Sequence, residues 1–443
     1  MSLTRTNHTC ALRCTLAAVV LLGLIGASTG QEVQAPAEGS ATRASESGPA
    51  WGAAEIGASW VLHAPAGPVG DPGGPLEPGQ RVLVLGRDQR QVSLVAVEQA
   101  VVLHRLSSRF DLGIGPIYAS HRRHAYLASR DGWVGKLDLR ALRWEAEVRA
   151  GLGTRALALS HDDRFLIVAN ASPNTLAVLD AGDLRLVKLL EVRDRDGRAS
   201  GVASVRAFPA RGSFAATLEG SAEVWEISYR IPPPAGFGHW THDHRKDGGD
   251  AATPDPFPVR RLRASAPLGD FFLTRDGAQM VARTLDGAGG EVVDFDLGRS
   301  FRRLDLPAGP RLDSAVAWPR GDTRVLAVPN DQGGLTLLDA RTWTRLAELP
   351  VPGHEGFLAS HEGSPQLWAG SPRADTLTLI DKQTLEPTHG LRPLPGAPVR
   401  QVVLSPDGGF ALAVVEGGED DLAVVYDGRT LEELGRVSLP RQP

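Results

Sequence analysis

A short apolar strand that ends in an acidic residue recurs eight times between about residue 81 and the C-terminus. The acidic residues that end the copies are Glu98, Asp138, Asp180, Glu226, Asp296, Asp339, Asp381 and Asp427. Six of the seven steps between them measure 40 to 46 residues, and the step from Glu226 to Asp296 measures 70. A period of this length is typical of four-stranded units arranged around an axis. The sequence therefore predicts an all-β fold over residues 81–443, an eight-bladed β-propeller of four-stranded antiparallel blades, with an insertion loop at 231–258.

One copy, from Ala156 to Val192, contains the four predicted strands of a blade in order. Its second strand, FLIVAN, is almost entirely apolar, which predicts burial on both faces. Its outer strand, LRLVKLLEV, alternates charged and apolar residues, as an edge strand with one wet face does. Asp180 opens the turn between the last two strands, and we expect its carboxylate to accept backbone N–H groups there.

The N-terminal residues differ in composition from the repeats. Arg5 and Arg13 precede an apolar run at residues 16–25 and then small residues, the pattern of a secretory signal over residues 1–30. The run is too short to span a bilayer, so we expect export to the periplasm without a stable membrane span. Residues 31–80 are rich in Ala, Gly and Pro and predict a flexible leader. Within it, residues 58–65 (ASWVLHAP) are the candidate for an inner strand that the first copy lacks.

Composition limits the partners and the redox chemistry. The chain has 47 basic and 52 acidic side chains, well mixed along its length, which argues against nucleic acid and anionic membranes as general partners. Both cysteines, Cys10 and Cys14, lie in the predicted signal. The exported protein is therefore predicted to have neither disulfides nor a covalently attached haem c.

The ends of the second strands, together with the linkers into the next copies, are expected to surround the mouth of the axial channel. The residues at these ends are Arg87, Arg130, Asn170, Glu219, Arg283, Asn330, Ser371 and Glu416. Arginines at one mouth are suited to a ligand with several carboxylates, because a guanidinium pairs with a carboxylate at two points. The alternative is a solvated polar rim with local salt bridges to the glutamates.

Several segments, taken in order, resemble a known family. They are YASHRRHAYLASRDGWVGKLDL, EVWEISY, APLGDFFLTRDGAQMV, PGHEGFLASHEGSPQLW, DTLTLIDKQTLEP and VVLSPDGGFALAVV. The chain resembles the d1-haem domain of cytochrome cd1 nitrite reductase, and more closely the periplasmic propellers of d1-haem biosynthesis that lack a cytochrome c domain. The resemblance implies a protein that binds or handles haem d1 or a precursor in denitrification. It also implies that Arg87 and Arg130 meet the carboxylates of the tetrapyrrole. We expect two further arginines of the mouth, Arg283 and Arg311, to aid them.

The resemblance breaks down at the iron ligands of the nitrite reductases. The family's histidine positions fall on Gly113, Gly269 and Arg311 in this chain, and no CxxCH motif is present. A divergent nitrite reductase therefore requires His242 or His354 as a replacement ligand. Asp270, beside Gly269, is a candidate acid or base for a ring substituent. The remaining alternative is a ligand-free propeller on which other periplasmic proteins dock.

Further histidines have simpler interpretations. The insertion carries His239, His242 and His244, whose spacing suits a metal, although its Pro, Gly and Asp content suits a solvated loop. His354 lies in a linker expected to face the mouth. His121, His161 and His361 each follow a serine in the first turn of a copy, which indicates a turn preference inherited with the repeat.

Overall fold

A computed structural model describes residues 51–64, 81–85, 90–237, 256–287, 289–351, 353 and 355–439. Helix is rare in this part of the chain: it consists of α1 (Ala53–Ser59) and a single 3₁₀ turn at Pro209–Arg211. The first strand, β1 (Val61–Leu62), precedes the repeats. All other strands belong to antiparallel meanders that match the copies of the sequence repeat, and we number these meanders as repeats 1 to 8.

Repeats 1 to 4 contain the following strands. They are, for repeat 1, β2 (Arg81–Leu85), β3 (Gln91–Ala96) and β4 (Val101–Ser107); for repeat 2, β5 (Leu112–Tyr118), β6 (His124–Ser129), β7 (Trp133–Asp138) and β8 (Arg143–Arg149); for repeat 3, β9 (Gly153–Leu159), β10 (Phe165–Ser172), β11 (Asn174–Asp180) and β12 (Leu186–Glu191); and for repeat 4, β13 (Val202–Phe208), β14 (Ser213–Leu218), β15 (Glu223–Ser228) and β16 (Val259–Arg263).

Repeats 5 to 8 each contain four strands. They are, for repeat 5, β17 (Leu268–Leu273), β18 (Gln279–Thr284), β19 (Gly290–Asp294) and β20 (Arg299–Leu304); for repeat 6, β21 (Val316–Arg320), β22 (Thr323–Pro329), β23 (Gly334–Asp339) and β24 (Arg345–Pro350); for repeat 7, β25 (Phe357–Ser360), β26 (Gln366–Gly370), β27 (Leu377–Asp381) and β28 (Pro387–Leu391); and for repeat 8, β29 (Val399–Leu404), β30 (Phe410–Val415), β31 (Asp421–Asp427) and β32 (Glu433–Leu439). A single parallel pair, Arg263 with Arg299, links repeats 4 and 5.

The burial of each strand follows its sequence pattern. In β10, residues 166–170 are all buried, and β14 is buried along its whole length. The outer strand β12 contains no buried residue. The predicted all-β fold of four-stranded antiparallel sheets is therefore confirmed for repeats 2 to 8.

In the described ranges, apolar side chains form eight separate clusters, each shared by two repeats. Seven clusters join successive repeats along the chain. The eighth joins the last repeat to the first, where Val84 and Val95 of repeat 1 pack with Val414 and Val425 of repeat 8. Because each fully buried Val or Leu contributes about 1.5–3 kcal/mol, these clusters are the main force that holds neighbouring repeats together.

The aspartates that end the third strands hold the following turns, as predicted. Asp138, Asp339, Asp381 and Asp427 each accept hydrogen bonds from the backbone N–H groups two and three residues further on. Asp180 accepts one from Gly182 at 2.7 Å. Burial raises the pKa of Asp138, but its bonds from Arg123 and the turn lower it to about 2.

Repeats 4 and 5 depart from this pattern. In repeat 5 the turn is held by Asp294, which accepts the N–H groups of Asp296 and Leu297, so the assignment of Asp296 to this position was wrong by two residues. The strand ends at Asp294, and the sequence DFDL offers two acids at which to place its end. In repeat 4, Glu226 is buried and pairs with Arg211 and Arg260 instead.

Residues 51–64 do not complete repeat 1. Val61 and Leu62 pair with Glu147 and Ala146 of β8, the outer strand of repeat 2, so the prediction of an inner strand at residues 58–65 was wrong. The open edge of β8 offers unpaired backbone groups to this segment. The predicted signal and most of the predicted leader lie outside the described residues. In the part that the structure describes, no helix is both long and apolar enough to cross a membrane.

Candidate functional site

Two adjoining cavities lie where the first strands of repeats 2 to 5 meet the linkers between repeats. The mouth cavity, of about 520 Å³, is polar and lined mainly by Arg155, Glu219, Asp270, Arg283, Arg311, Asp313, Asp331 and Glu355. The axial cavity, of about 610 Å³, is lined by first-strand residues of repeats 2 to 5. Arg155, Asp270 and Asp313 line both. Volumes of this size are typical of small-molecule sites.

Arg130 follows β6 on the same face and has an exposed side chain. This side chain makes no hydrogen bond or ion pair with any residue in the described ranges. Its backbone is fixed, because its carbonyl accepts the N–H of Thr154 at 3.0 Å, next to Arg155 of the mouth cavity. Gly132, in the same turn, has φ of +105°, and a Cβ there would lie 1.9 Å from the Gly151 carbonyl oxygen. A rigid turn therefore presents a guanidinium that has no partner in the part of the chain that the structure describes.

Arg283 is held in a different way. Its Nε donates to Asp270 Oδ1 at 2.6 Å. Asp270 Oδ2 accepts the backbone N–H groups of Leu312 at 2.6 Å and Asp313 at 3.0 Å. Both carboxylate oxygens of Asp270 are thus engaged, and they tie repeat 5 to the linker before repeat 6. This geometry favours a structural clamp over the proton-transfer role proposed for Asp270 from the sequence.

Arg311 and Arg206 also belong to this acidic side of the mouth. Arg311 donates to Asp313 Oδ2 at 3.3 Å and to the Glu355 carbonyl at 3.4 Å. Burial opposes its charge, but the Asp313 and Asp331 carboxylates hold the pKa of Arg311 above its usual value. Arg206 donates to the Asp313 carbonyl at 2.8 Å, and burial lowers its pKa.

The glutamates at the second-strand ends pair with arginines that the sequence analysis did not single out. Arg155 contacts Glu219 at 2.9 Å, and Arg400 pairs with Glu416. These arginines lie at the inner ends of first strands, so a search confined to second-strand ends misses them. The predicted local salt bridges of the rim are therefore present.

The uncharged residues at the second-strand ends have structural roles. Asn170 donates to the Ala150 carbonyl at 2.8 Å, and Asn330 Oδ1 accepts the N–H groups of Gln332 and Gly334. Ser371 Oγ accepts the N–H of Arg373 at 3.1 Å. Polar residues at the ends of the strands therefore fall into turn-holding and rim-lining groups.

The positions matched to iron ligands carry no imidazole in this chain. A Cβ on Gly269 would lie 2.8 Å from Arg283 Nη2, so the Arg283 guanidinium occupies the space that a side chain at 269 would need. Gly113 lies in β5, and Arg311 is paired with Asp313 as described. Arg87, His242 and His354, which the sequence analysis also proposed, lie outside the described residues.

The described histidines are explained by local contacts. Nδ1 of His121 and of His361 accepts the N–H two residues further on, which confirms the predicted turn role. Nδ1 of His161 contacts the Tyr229 hydroxyl at 2.8 Å. Ligand atoms of His124, Asp138 and Glu145 lie within 4.8 Å of one another, the one such group of metal-ligand type in the described ranges. The Lys136 ammonium lies 3.1 Å from Glu145 and supplies positive charge there without a metal.

Comparisons with known proteins agree with the segments quoted above. The family described as "Cytochrome D1 heme domain" matches residues 77–443. A dihydro-heme d1 dehydrogenase of Pseudomonas aeruginosa is 35% identical over 367 residues, which cover 82% of this chain and 70% of the relative. Protein NirF of the same organism is 27% identical over 291 residues, which cover 63% of this chain and 69% of the relative.

A solved structure described as dihydro-heme d1 dehydrogenase NirN in complex with DHE is similar to this chain, with a TM-score of 0.78 and 34% identity. The match covers 89% of this chain and 80% of that one. The resemblance seen in the sequence is therefore confirmed: this chain belongs to the cytochrome d1 heme domain family.

Proposed function

We propose that this protein binds a d1-type haem, or the dihydro form that precedes it, at the mouth of an eight-bladed propeller. Its role is to handle or mature this tetrapyrrole in the periplasm during denitrification. Support comes from the family membership and from the relatives, one named for dihydro-heme d1 and solved in complex with DHE.

The eight-bladed ring is supported by the apolar clusters. Eight clusters join eight repeats, and the last of them connects repeat 8 to repeat 1. Each repeat therefore has two neighbours, which is the condition for a closed ring. The mouth and the axial cavity then lie on the ring axis.

The observation that carries the proposed ligand is the unpaired side chain of Arg130. A guanidinium held on a rigid turn, with no carboxylate partner in the described residues, is available to a carboxylate of the macrocycle. Arg87, in the preceding repeat, is the proposed second contact. Arg283 and Arg311 line the far side of the mouth cavity and would contact the ring edge with their remaining donors.

The described residues fit the carboxylates of the ring better than its iron. Gly113, Gly269 and Arg311 supply no imidazole. The tetrapyrrole is therefore a ligand or substrate that the protein contacts at the periphery of the ring. A divergent nitrite reductase is the weaker alternative, since it depends on His242 or His354.

A spectral titration tests this function. Purified protein is titrated with d1-haem and, separately, with its dihydro precursor, while the Soret and long-wavelength bands and co-elution on a sizing column are followed. We expect saturable band shifts and co-elution with at least one of the two. Protohaem serves as the ligand control and should bind more weakly. Unchanged spectra with both d1-type ligands would overturn the proposal. They would favour the alternative, a ligand-free propeller on which other proteins dock.

The reductase alternative has its own test. The loaded protein is given an artificial reductant and nitrite, and nitrite consumption is measured. We expect none above the level of free d1-haem. Turnover that is lost in His242→Ala or His354→Ala would establish the alternative.

A further inference from the structure

A segment outside the repeats, residues 51–64, lies across the outer strands of repeats 2 and 3, and we call it the N-terminal strap. Helix α1 contacts both β8 and β12, and β1 extends the edge of β8. Ile56 is buried in the cluster that repeats 2 and 3 share. The strap is therefore fixed to the same two repeats whose junction carries Arg130.

Arg149, the last residue of β8, is where the strap meets the repeat. Its carbonyl accepts the Trp51 indole N–H at 3.3 Å, and its N–H donates to Ser59 Oγ at 2.9 Å. Its guanidinium carbon lies 5.1 Å from the centre of the Trp51 ring. Main chain and side chain of Arg149 are thus both held by the strap.

The same Arg149 side chain reaches the turn that presents Arg130. Arg149 Nε donates to the Asp131 carbonyl at 3.1 Å, and Asp131 is the residue after Arg130. Arg149 also pairs with Trp133 in the β7–β8 register, and Ala150 donates to the Gly132 carbonyl at 2.9 Å. Contacts therefore run without a gap from Trp51 through Arg149 to the turn.

We propose that the N-terminal strap, through Trp51 and Arg149, positions Arg130 for the carboxylate of the ligand. This inference rests on the proposed function, because it assigns Arg130 a ligand. Trp51 and Arg149 are positioning residues in this scheme: they act through the turn and do not touch the ligand.

The strap offers a matched control in Trp60. Its indole N–H donates to the Asp183 carbonyl at 2.7 Å, and the Arg185 guanidinium lies 4.6 Å from its ring centre. Trp60 thus makes the same two kinds of contact as Trp51, but it makes them on the β11–β12 turn of repeat 3, at the opposite end of the sheet from Arg130. Loss of either tryptophan should loosen the strap by a similar amount, because each makes one indole hydrogen bond and one cation–π contact.

The experiment compares Trp51→Ala and Trp60→Ala, each alone and combined with Arg130→Ala, by titration with the d1-type ligand that binds the wild type. We expect Trp51→Ala to raise Kd about three- to tenfold and Trp60→Ala to leave it within about twofold. The double variant Trp51→Ala/Arg130→Ala should have the same Kd as Arg130→Ala alone, because the strap acts through Arg130. Equal effects of the two tryptophans, or a full Trp51 effect without Arg130, would overturn the proposal.

A second readout needs no ligand. Amide hydrogen exchange of the peptide covering residues 129–133 should become faster in Trp51→Ala and stay unchanged in Trp60→Ala. Arg149→Lys keeps the charge but loses the Nε bond to Asp131, so it should speed exchange in the same peptide. It replaces Trp51→Ala in this test if that variant folds poorly. Unchanged exchange in both Trp51→Ala and Arg149→Lys refutes the positioning role. If the wild type binds no tetrapyrrole, the proposed function fails, and the exchange data still decide whether the strap holds the turn.

Discussion

The mouth has two sides that use arginine in opposite ways. On the side of repeat 2, Arg130 is exposed and its guanidinium has no partner among the described residues. On the side of repeats 5 and 6, Arg283 is tied to Asp270, and Arg311 to Asp313. The number of arginines at a mouth is therefore a poor guide to its affinity for anions. What matters is whether each guanidinium already has a carboxylate.

The charge of the residues that line the mouth cavity adds to this difference between the two sides. Three arginines and five carboxylates line it, so this side has an excess of negative charge. A carboxylate of a ligand meets repulsion there, because the lining carries more carboxylates than guanidinium groups. A macrocycle with carboxylates on one edge should therefore turn that edge towards repeats 1 and 2, and its less charged edge towards repeats 5 and 6.

Replacement of Asp270 tests the side of the mouth at repeats 5 and 6, where the arginines are paired. Asp270→Ala should lower the free energy of unfolding by about 2–4 kcal/mol, because it leaves Arg283 and two backbone N–H groups without their acceptor. Thermal and urea unfolding measure the change. Asp305→Ala is the control, since its exposed pair with Arg345 should contribute less than about 1 kcal/mol. Equal effects of the two substitutions would contradict the clamp.

Removal of the unpaired guanidinium tests the other side. Arg130→Ala should raise Kd for the d1-type ligand about 10- to 100-fold, the value of a charge-assisted hydrogen bond, without a change in stability. The Kd of Arg130→Lys should lie between those of the wild type and Arg130→Ala, because a lysine keeps the charge but cannot bind a carboxylate at two points. Arg436→Ala, which breaks an exposed pair on the outer strand β32, is the control and should bind as the wild type does. Spectral titration gives all four values.

The sharpest comparison is between Arg130 and Arg283. Arg283→Ala should raise Kd less than about threefold, because its Nε is already bonded to Asp270 and its surroundings are acidic. The same titration measures it. A loss as large as that of Arg130→Ala would show that pairing does not decide which arginines bind the ligand.

The smallest expected effect is the pH dependence of stability that comes from the turn aspartates, which recur in repeats on both sides of the mouth. Burial raises the pKa of Asp339, but hydrogen bonds from Thr323 and from the N–H groups of the turn lower it to about 2. A folded pKa below the unfolded value means stability that is present above about pH 4 and lost as the pH falls towards 2. Unfolding at pH 7, 4 and 3 should show this decline, and Asp339→Asn should reduce it. A pH-independent unfolding free energy would exclude the turn aspartates as contributors.

The sequence predicted the repeated parts of the molecule well, for physical reasons. A period near 42 residues, apolar second strands and turn aspartates are local features, and each copy carries them independently. The strap was misplaced because the partner of residues 61 and 62 depends on which strand edge is open, which no local pattern reveals. Asp296 was chosen over Asp294 because two acids stand in one short segment.

The site was predicted less completely than the fold. Positions at the second-strand ends identified Arg130 and Arg283, but not their different environments. Arg283 pairs with Asp270 of a neighbouring strand, and Asp270 is itself held by backbone N–H groups of the linker before repeat 6. Arg311 pairs with Asp313 two residues further on, a contact that the sequence pattern did not indicate. Pairing is a property of the folded mouth, so the sequence alone could name the arginines but not separate them.

The cluster between repeats 8 and 1 has a consequence for how the chain can be cut. Val82 and Leu439, close to the two ends of the repeat array, are buried in the same small core, so the array begins and finishes at one place. A circular permutant should therefore fold: a short peptide would join the end of repeat 8 to the start of repeat 1, and new termini would be opened at a polar turn between two other strands. Among the described residues, this junction consists of side-chain contacts between the first and last repeats, so it does not depend on which repeat comes first in the chain.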